Sequence, residues 1–258
     1  MKPLAVSADQ LLRTLRVPIT PLREGLLQLD RPTSHYLIDV HRLAAGVHFL
    51  AFDAEAGTQA QATLVTSNSR GAACRVEAVE ASRLIPQYRT VVVQAFGKGT
   101  RVDQVVRDAT ALDATEIWVV STLRSAVPNP TEMRGRCERW RKIALESARQ
   151  CVRGNVPRIE GVVSLREALH RLADYPGIRC VLSPHADSAL CDALAPGRVE
   201  NVMLLVGPEG GLDESEIELS TEFGFRQVRL GLRVLRTEVA TVVSLGVIAA
   251  LRDREQVG

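Results

Sequence analysis

Leu204-Leu205-Val206-Gly207-Pro208-Glu209-Gly210-Gly211-Leu212-Asp213-Glu214-Ser215-Glu216-Ile217 is the stretch on which the reading of this chain turns. The run Val202-Met203-Leu204-Leu205-Val206 is apolar throughout, as expected of a parallel strand buried on both faces. Three glycines and a proline then turn the chain. Asp213, with Glu216 three residues on, carries the signature of a capped helix start. Strand, tight turn and helix together predict a βα unit. The acidic first turn restricts what that turn could hold. A phosphate would face Asp213, Glu214 and Glu216, which cancels the attraction of the helix dipole for anions. Close approach of glycine backbone to a neutral or cationic ligand fits these residues, and so does a turn that is purely structural.

Working outward, the same rhythm recurs. Thr90-Val91-Val92-Val93-Gln94-Ala95-Phe96 predicts a buried strand. Val102, Val105, Val106, Ala109 and Leu112 share one helical face, and Ile117-Trp118-Val119-Val120 predicts the next strand. A long helix is predicted from Thr131 to Cys151, striped by Met133, Cys137, Trp140, Ala144, Ser147 and Cys151. Ile178 to Leu182 and Gln227 to Leu230 add strands, and Val239 to Leu251 reads as a buried helix. That last run has thirteen residues, short of the roughly 20 that span a bilayer. Strands alternating with helices imply an α/β fold with a mainly parallel sheet.

Ahead of Arg89 the pattern differs. His48 to Phe52, Ala60 to Val65 and Ala73 to Val79 are short strands, with Asn68-Ser69-Arg70-Gly71 as turn chemistry. They suggest a small β-barrel or meander. The change falls between Arg83 and Tyr88, around Pro86, and divides the chain into residues 1–85 and 86–258.

Composition sets the bounds. With 258 residues, 46% hydrophobic and 24% charged, the chain is an ordinary globular protein of one large or two modest domains. A net charge of +2 excludes a wholly basic or acidic character, though not a local patch. Lys2, Lys98 and Lys142 are the lysines; every other cation is arginine, whose planar fork suits phosphate. Nine cations against three acids lie between Arg124 and Arg158, either a phosphate-backbone track or a solvated helix face. The five cysteines are odd in number and none are spaced as CxxC. That argues against structural zinc or a disulfide framework and for reduced, mostly buried thiols in a cytosolic protein. Met1 to Gln10 has no apolar core of a secretion signal. No two of the five histidines are spaced as metal ligands; His185, just past a strand end, is in a pocket-like position. Gly97-Lys98-Gly99 also follows a strand, but the third glycine of a dinucleotide fingerprint is absent. A tight turn pointing Lys98 at an anionic partner is the better reading.

A second dense stretch, Leu230-Gly231-Leu232-Arg233-Val234-Leu235-Arg236-Thr237-Glu238-Val239-Ala240, precedes the last helix. Two arginines three apart beside a glutamate are costly to bury without a task. An ion-paired helix start is the structural alternative.

The two stretches together resemble the SPOUT class of S-adenosylmethionine-dependent RNA methyltransferases. They are most similar to its RsmE family, which methylates N3 of a uridine in small-subunit (16S) ribosomal RNA. The GPEGG turn matches in full, and the later stretch is similar to LGPRxLRTETA. Upstream, Arg139-Trp140-Arg141-Lys142-Ile143-Ala144 and Gln150 to Arg153 look like a further family segment, and Lys98 like the start of a K-x-x-r/k segment. His35, His41-Arg42-Leu43, Gly46 and Phe52-Asp53 weakly resemble its PUA-like RNA-binding barrel. Leu232, Val239, Arg149 and Ala111-Leu112-Asp113 depart from the family pattern. They leave two alternatives, a SPOUT enzyme of another RNA position and a non-catalytic RNA-binding relative. A nucleotide-dependent oxidoreductase using Gly97-Lys98-Gly99 is a third.

The resemblance implies a C-terminal α/β domain with a deep trefoil knot, an exception to the usual unknotted chain, behind a smaller PUA-like barrel. It implies a cytoplasmic homodimer acting on ribosomal RNA or the small ribosomal subunit, without metal or membrane. S-adenosylmethionine would be held by Leu182, Ser183 and Pro184, by Gly207, Pro208, Glu209, Gly210 and Gly211, and by Leu230, Gly231, Leu232, Val234 and Leu235. Arg233, Arg236 and Glu238 are the expected catalytic residues. Arg236 would stabilise charge on the uracil carbonyls, with Glu238 orienting it or accepting the proton. Lys98, Arg139, Arg149, Arg153 and Arg42 are the expected RNA contacts.

Overall fold

The computed structural model describes residues 14–68, 71–82, 84–125, 129–194 and 199–256. Met1 to Gln10, Ser69, Arg70 and Arg83, on which parts of the reading above rest, lie outside the described residues. The chain forms two compact units: one comprises the residues up to Ile85 with Ala148–Val156, the other Pro86–Ser147 with the remainder from Pro157.

In the first unit, the strands are β1 (Arg16–Pro18), β2 (Gly25–Gln28), β3 (His48–Asp53), β4 (Thr58–Asn68), β5 (Gly71–Val76) and β6 (Glu80–Ala81). They pair in the order β1-β3-β4-β5-β2, with β6 on β4. β3, β4 and β5 form an antiparallel meander, whereas β1 runs parallel to β3. Helix α1 (Arg31–His35) begins at the Asp30 cap. Val17, Leu37, Phe49, Ala51, Leu64, Ala72 and Cys74 fill the core. Buried Asp53 accepts from Thr20 Oγ1 (3.1 Å) and from the Leu22, Glu55 and Ala56 amides (3.2, 3.0 and 3.1 Å). This accounts for a carboxylate at the end of an otherwise apolar strand.

The second unit is a six-stranded parallel sheet of β7 (Thr90–Ala95), β8 (Glu116–Ser121), β9 (Arg158–Ser164), β10 (Ile178–Leu182), β11 (Val202–Val206) and β12 (Arg226–Val228). The order is β12-β10-β11-β7-β8-β9, every pairing parallel. Its helices are α2 (Arg101–Ala111), α3 (Pro130–Gln150), α4 (Leu165–Arg171), α5 (Leu190–Leu194), α6 (Glu214–Glu222) and α7 (Thr237–Gln256). α3 ends within the segment grouped with the first unit. β7 and β11 are buried at every position, the signature of central parallel strands.

The predicted long-helix stripe holds through Met133, Trp140, Ala144 and Ser147 but not at Cys151. The helix stops at Gln150, Val152 adopts a left-handed φ of 65°, and Cys151 is exposed. The thiols are correspondingly less buried than expected. Cys74 and Cys180 lie in the interior, Cys137 is half-buried, and Cys151 and Cys191 are exposed, all of them free. β9 escapes the periodic reading because Arg158, Glu160 and Gly161 interrupt its apolar residues on an edge of the sheet.

Candidate active site

Every strand of a parallel sheet delivers its following loop to the same edge, so strand order determines which loops meet. β12, β10 and β11 are neighbours. That order sets residues 182–184, 207–211 and 230–235 side by side at the carboxyl edge, although they are far apart in sequence. The Ser183 amide donates to Val228 O (2.9 Å), and Ala189 bridges to Arg229, joining the first loop to the third. The strand order reverses where β11 meets β7, the place where open α/β sheets leave a crevice.

The turn at 207–211 is held from three directions. From behind, Thr237 Oγ1 donates to Gly207 O (2.7 Å), Gln94 Nε2 donates to Thr237 Oγ1 (2.9 Å), and Thr241 Oγ1 donates to Gln94 Oε1 (2.8 Å). All three side chains are buried. From the loop after β8, Arg124 donates to Gly210 O (2.9 Å) and pairs with Asp213 (3.1 Å). The Leu123 amide donates to Glu216 Oε1 (2.8 Å), while Glu216 Oε2 accepts from the Asp213 amide (2.9 Å) to complete the capping box. From the β7 turn, the Lys98 amide donates to Glu209 Oε1 (3.0 Å), and Arg101 forms an ion pair with the same oxygen. Within the turn, a Cβ on Gly207 would lie 3.1 Å from both Leu212 N and Leu212 Cγ, and Gly211 has a φ of 71°. Both positions favour glycine.

The charges follow from these contacts. Burial pushes the Glu209 carboxyl up, but its own amide, the Lys98 amide and Arg101 outweigh that and hold it below the ordinary value. Asp213 is held low by the Ser215 hydroxyl and amide, and more weakly by Arg124. The 207–211 turn and the helix start that follows it therefore carry ionised carboxylates. This agrees with a neutral or cationic ligand and disfavours a nucleotide phosphate over Gly97-Lys98-Gly99.

Glu238 stands in the first turn of α7 with its side chain 10% exposed. Its Oε2 accepts no hydrogen bond and lies 3.5 Å from Arg101 Nε. Arg233 and Arg236 are exposed, and neither forms an ion pair among the described residues. Residues two apart at a helix start do not face each other, so Glu238 turns inward to Arg101 while Arg236 points out. Leu232 and Val234 are 89% and 81% exposed. His185 is exposed as well.

The expected RNA contacts scatter. In the second unit, Lys98 is exposed and Arg139 lies over buried Asp103 (2.7 Å), whose other oxygen accepts from Trp140 Nε1 (2.9 Å). In the first unit, Arg42 is exposed with a left-handed φ of 53°, and Arg149 is half-buried 4.4 Å above the Tyr36 ring. Arg153 is 3% exposed, its Nε donating to Asn155 (2.9 Å), so its placement is internal. Arg134, Arg141 and Lys142 are exposed along α3. Among the described residues no group of three His, Cys, Asp or Glu side chains could hold a metal ion. No helix there is long and apolar enough to cross a membrane.

Arg101, Arg124, Gln94 and Thr237 were not singled out as site residues from the sequence. Gln94 carried a signal, as a polar residue inside an apolar run, and Arg101 is the fourth residue of the K-x-x-r/k segment. Arg124 carried none, because its partners lie more than 80 residues away.

Known proteins resemble this chain in sequence and in fold. Residues 85–249 match the RNA methyltransferase domain family. Ribosomal RNA small subunit methyltransferase E of Bacillus subtilis is 29% identical over 226 residues, 83% of this chain and 86% of its own length. The enzyme of the same name from Mycobacterium tuberculosis is 32% identical over 177 residues, 66% of this chain and 67% of its own. A crystal structure of the Neisseria gonorrhoeae enzyme bound to S-adenosylmethionine superposes with a TM-score of 0.81 at 25% identity. It covers 92% of this chain and 98% of that one.

Proposed function

The chain belongs to the RNA methyltransferase domain family, within the ribosomal RNA small subunit methyltransferase E group, and from that premise we propose that it methylates N3 of a uridine in 16S ribosomal RNA. It is an S-adenosylmethionine-dependent methyltransferase of small-subunit ribosomal RNA. The observation that carries the reading is the meeting of three loops from adjacent parallel strands around a glycine turn held by buried hydrogen bonds. Exposed Arg233 stands in the third of those loops and exposed Arg236 directly after it.

The residues fit the donor. Backbone groups of 182–184, 207–211 and 230–235 would hold its adenosine part, and the side chain that Gly207 lacks would fill the turn. Ionised Glu209 and Asp213 suit a positive charge nearby. When bound, S-adenosylmethionine supplies an electrophilic methyl group on a sulfonium.

The protein's own share is positioning and charge. Uracil N3 is a poor nucleophile until its proton is removed or the resulting anion is stabilised. Arg236, exposed and unpaired, stabilises negative charge on the uracil carbonyls, with Arg233 beside it. Glu238 handles the proton. Lys98, Arg139 and the free cations of α3 provide sequence-independent attraction for the RNA backbone, and Arg42 and Arg149 do so on the first unit.

The remaining architecture is part of the same proposal. The described residues up to Ile85 belong to a PUA-like barrel that binds RNA, supported by the meander of β3, β4 and β5. The described residues from Pro86 on, apart from Ala148–Val156, belong to a trefoil-knotted SPOUT domain, supported by the order β12-β10-β11-β7. Exposed Val239 and Val243 on α7 support a homodimer, and the protein works in the cytoplasm on ribosomal RNA or the small subunit. Methyl transfer to small subunits from a strain lacking this gene tests the function. Nucleoside mass mapping should return 3-methyluridine. Methylation of another base, or none, would overturn the assignment.

A further inference from the structure

The tip of the third loop is apolar where a solvated loop would be polar. Residues 231–234 are all exposed, Leu232 and Val234 almost fully, and Leu235 behind them is half-buried. The ends of the loop are fixed. At its start the Arg229 amide donates to Ser188 O (2.9 Å) and Arg229 Nη1 donates to Asp187 O (2.7 Å). At its end the Ala240 amide donates to Arg236 O (2.8 Å) as α7 begins. Gly231 makes the turn with a left-handed φ of 66°, which favours glycine. Single exposed aliphatic side chains are ordinary. Here two fall within three residues on the carboxyl edge, and neither packs into the core. They are interleaved with Arg233 and Arg236, which form no ion pair among the described residues. That alternation decides the partner. RNA offers phosphates to guanidinium groups and base faces to aliphatic ones. A protein surface that covered Leu232 and Val234 would bury Arg233 between them, and burying an unpaired cation is costly.

The target chemistry calls for such a group. N3 lies on the pairing edge of uracil, so in a paired or stacked strand the base must leave its neighbours before N3 can face the donor. The gap it leaves is unfavourable unless something fills it, and apolar side chains inserted between bases do so in proteins that unstack nucleic acid. We propose that Leu232, supported by Val234, is a wedge: its side chain enters the RNA stack where the target uridine has left it and so holds the extruded base at the crevice. This rests on the uridine-N3 reading above and deepens it. In that reading the backbone of the same loop serves the donor, so one short segment presents main chain to the cofactor and side chains to the substrate. Leu232 is also where this chain departs from the LGPRxLRTETA pattern, and leucine reaches further from the backbone than the proline of that pattern. The wedge sets specificity as well. A uridine that is mismatched or already unpaired costs less to extrude, so such a uridine is the preferred target.

The test uses full-length protein and small subunits from a strain lacking this gene. Leu232→Ala should lower kcat about tenfold or more, the scale of an unstacking cost left without compensation, and Val234→Ala should lower it less. Affinity for S-adenosylmethionine by titration calorimetry should be unchanged in both, because the loop backbone is kept. Leu232→Met, apolar and of like reach, should keep most of the turnover, whereas Leu232→Gln, polar and of like reach, should not. A purely structural role at so exposed a position would not separate these two. A readout independent of turnover is 2′-hydroxyl acylation of the ribosomal RNA in subunits bound to the protein and S-adenosylhomocysteine. Wild type and Leu232→Met should raise the reactivity of the nucleotide that mass mapping identifies as methylated; Leu232→Ala and Leu232→Gln should not. Equal turnover and equal acylation across the series would overturn the proposal. So would a loss of donor affinity in Leu232→Ala, which would put the side chain in the donor pocket. A change of oligomeric state in sedimentation would overturn it too, by putting the side chain between two copies of the chain. Failure of the wedge leaves 3-methyluridine as the wild-type product; wild-type protein that methylates another base, or none, overturns the underlying reading instead.

Discussion

The second and third loops of the carboxyl edge are neighbours built in opposite ways. The turn at 207–211 is tied by Thr237, Arg124, Arg101 and the Lys98 amide, and a Cβ at Gly207 would press tightly on Leu212 within it. The loop at 230–236 is open: Leu232 and Val234 project into solvent, and the guanidinium groups of Arg233 and Arg236 stand unpaired among the described residues. A small, constant ligand is best met by fixed backbone, because ordering it on binding would cost affinity. A macromolecular substrate that brings its own charge and shape is met by groups left free until it arrives. In the proposed reading the tied turn serves the donor alone, while the open loop offers its backbone to the donor and its free side chains to the RNA.

Substitutions that separate the two sides should show this division, beginning with the largest effect. Arg236→Ala should lower kcat by about 10²–10³-fold, the usual loss of a charge-stabilising donor. Donor affinity by calorimetry should stay within about twofold, because the open loop does not organise the turn. Comparable losses in both would erase the distinction. Thr237→Val strikes the tied side. It leaves Gly207 O and Gln94 Nε2 buried without this partner and should reduce unfolding free energy by about 1–3 kcal/mol in urea titration. Gly207→Ala forces a side chain against Leu212 and should weaken donor binding about tenfold, a typical overpacking effect, with little change in RNA binding by filter retention.

The smallest effect is in pH. The Glu209 carboxyl is held below its free value of 4.5. A depressed carboxyl contributes stability above its unfolded pKa and loses it as pH falls through the folded value. The tied turn should therefore loosen only below about pH 4.5, seen as a modest drop in donor affinity that Glu209→Gln abolishes. The effect is small because a third of the side chain is exposed and screened by solvent.

Much of this was legible in the residues themselves. Ile178–Leu182 and Val202–Val206 agree with the apolar runs at both ends, and the Asp213–Glu216 capping box forms as its spacing predicts. Such features are local, set by periodicity and by groups a few residues apart. What escaped depends on distant partners. The Arg236–Glu238 neighbourhood suggested mutual orientation, yet Glu238 turns to Arg101, 137 positions earlier in the chain, and a linear pattern holds no trace of that choice. The relay Thr241–Gln94–Thr237–Gly207 likewise joins the first strand of the sheet to the last helix. Its one visible mark was a glutamine among valines. Arg153 looked like a surface cation in a basic segment, but it is internal, and charge counting along a chain cannot see burial.

The most direct measurement is a crystal structure of the protein grown with S-adenosylmethionine. The account predicts density for the donor bounded by residues 182–184, 207–211 and 230–235, with Arg236 in reach of its methyl group. Donor density elsewhere, such as over Gly97-Lys98-Gly99, or a carboxyl edge closed by its own side chains, would contradict it.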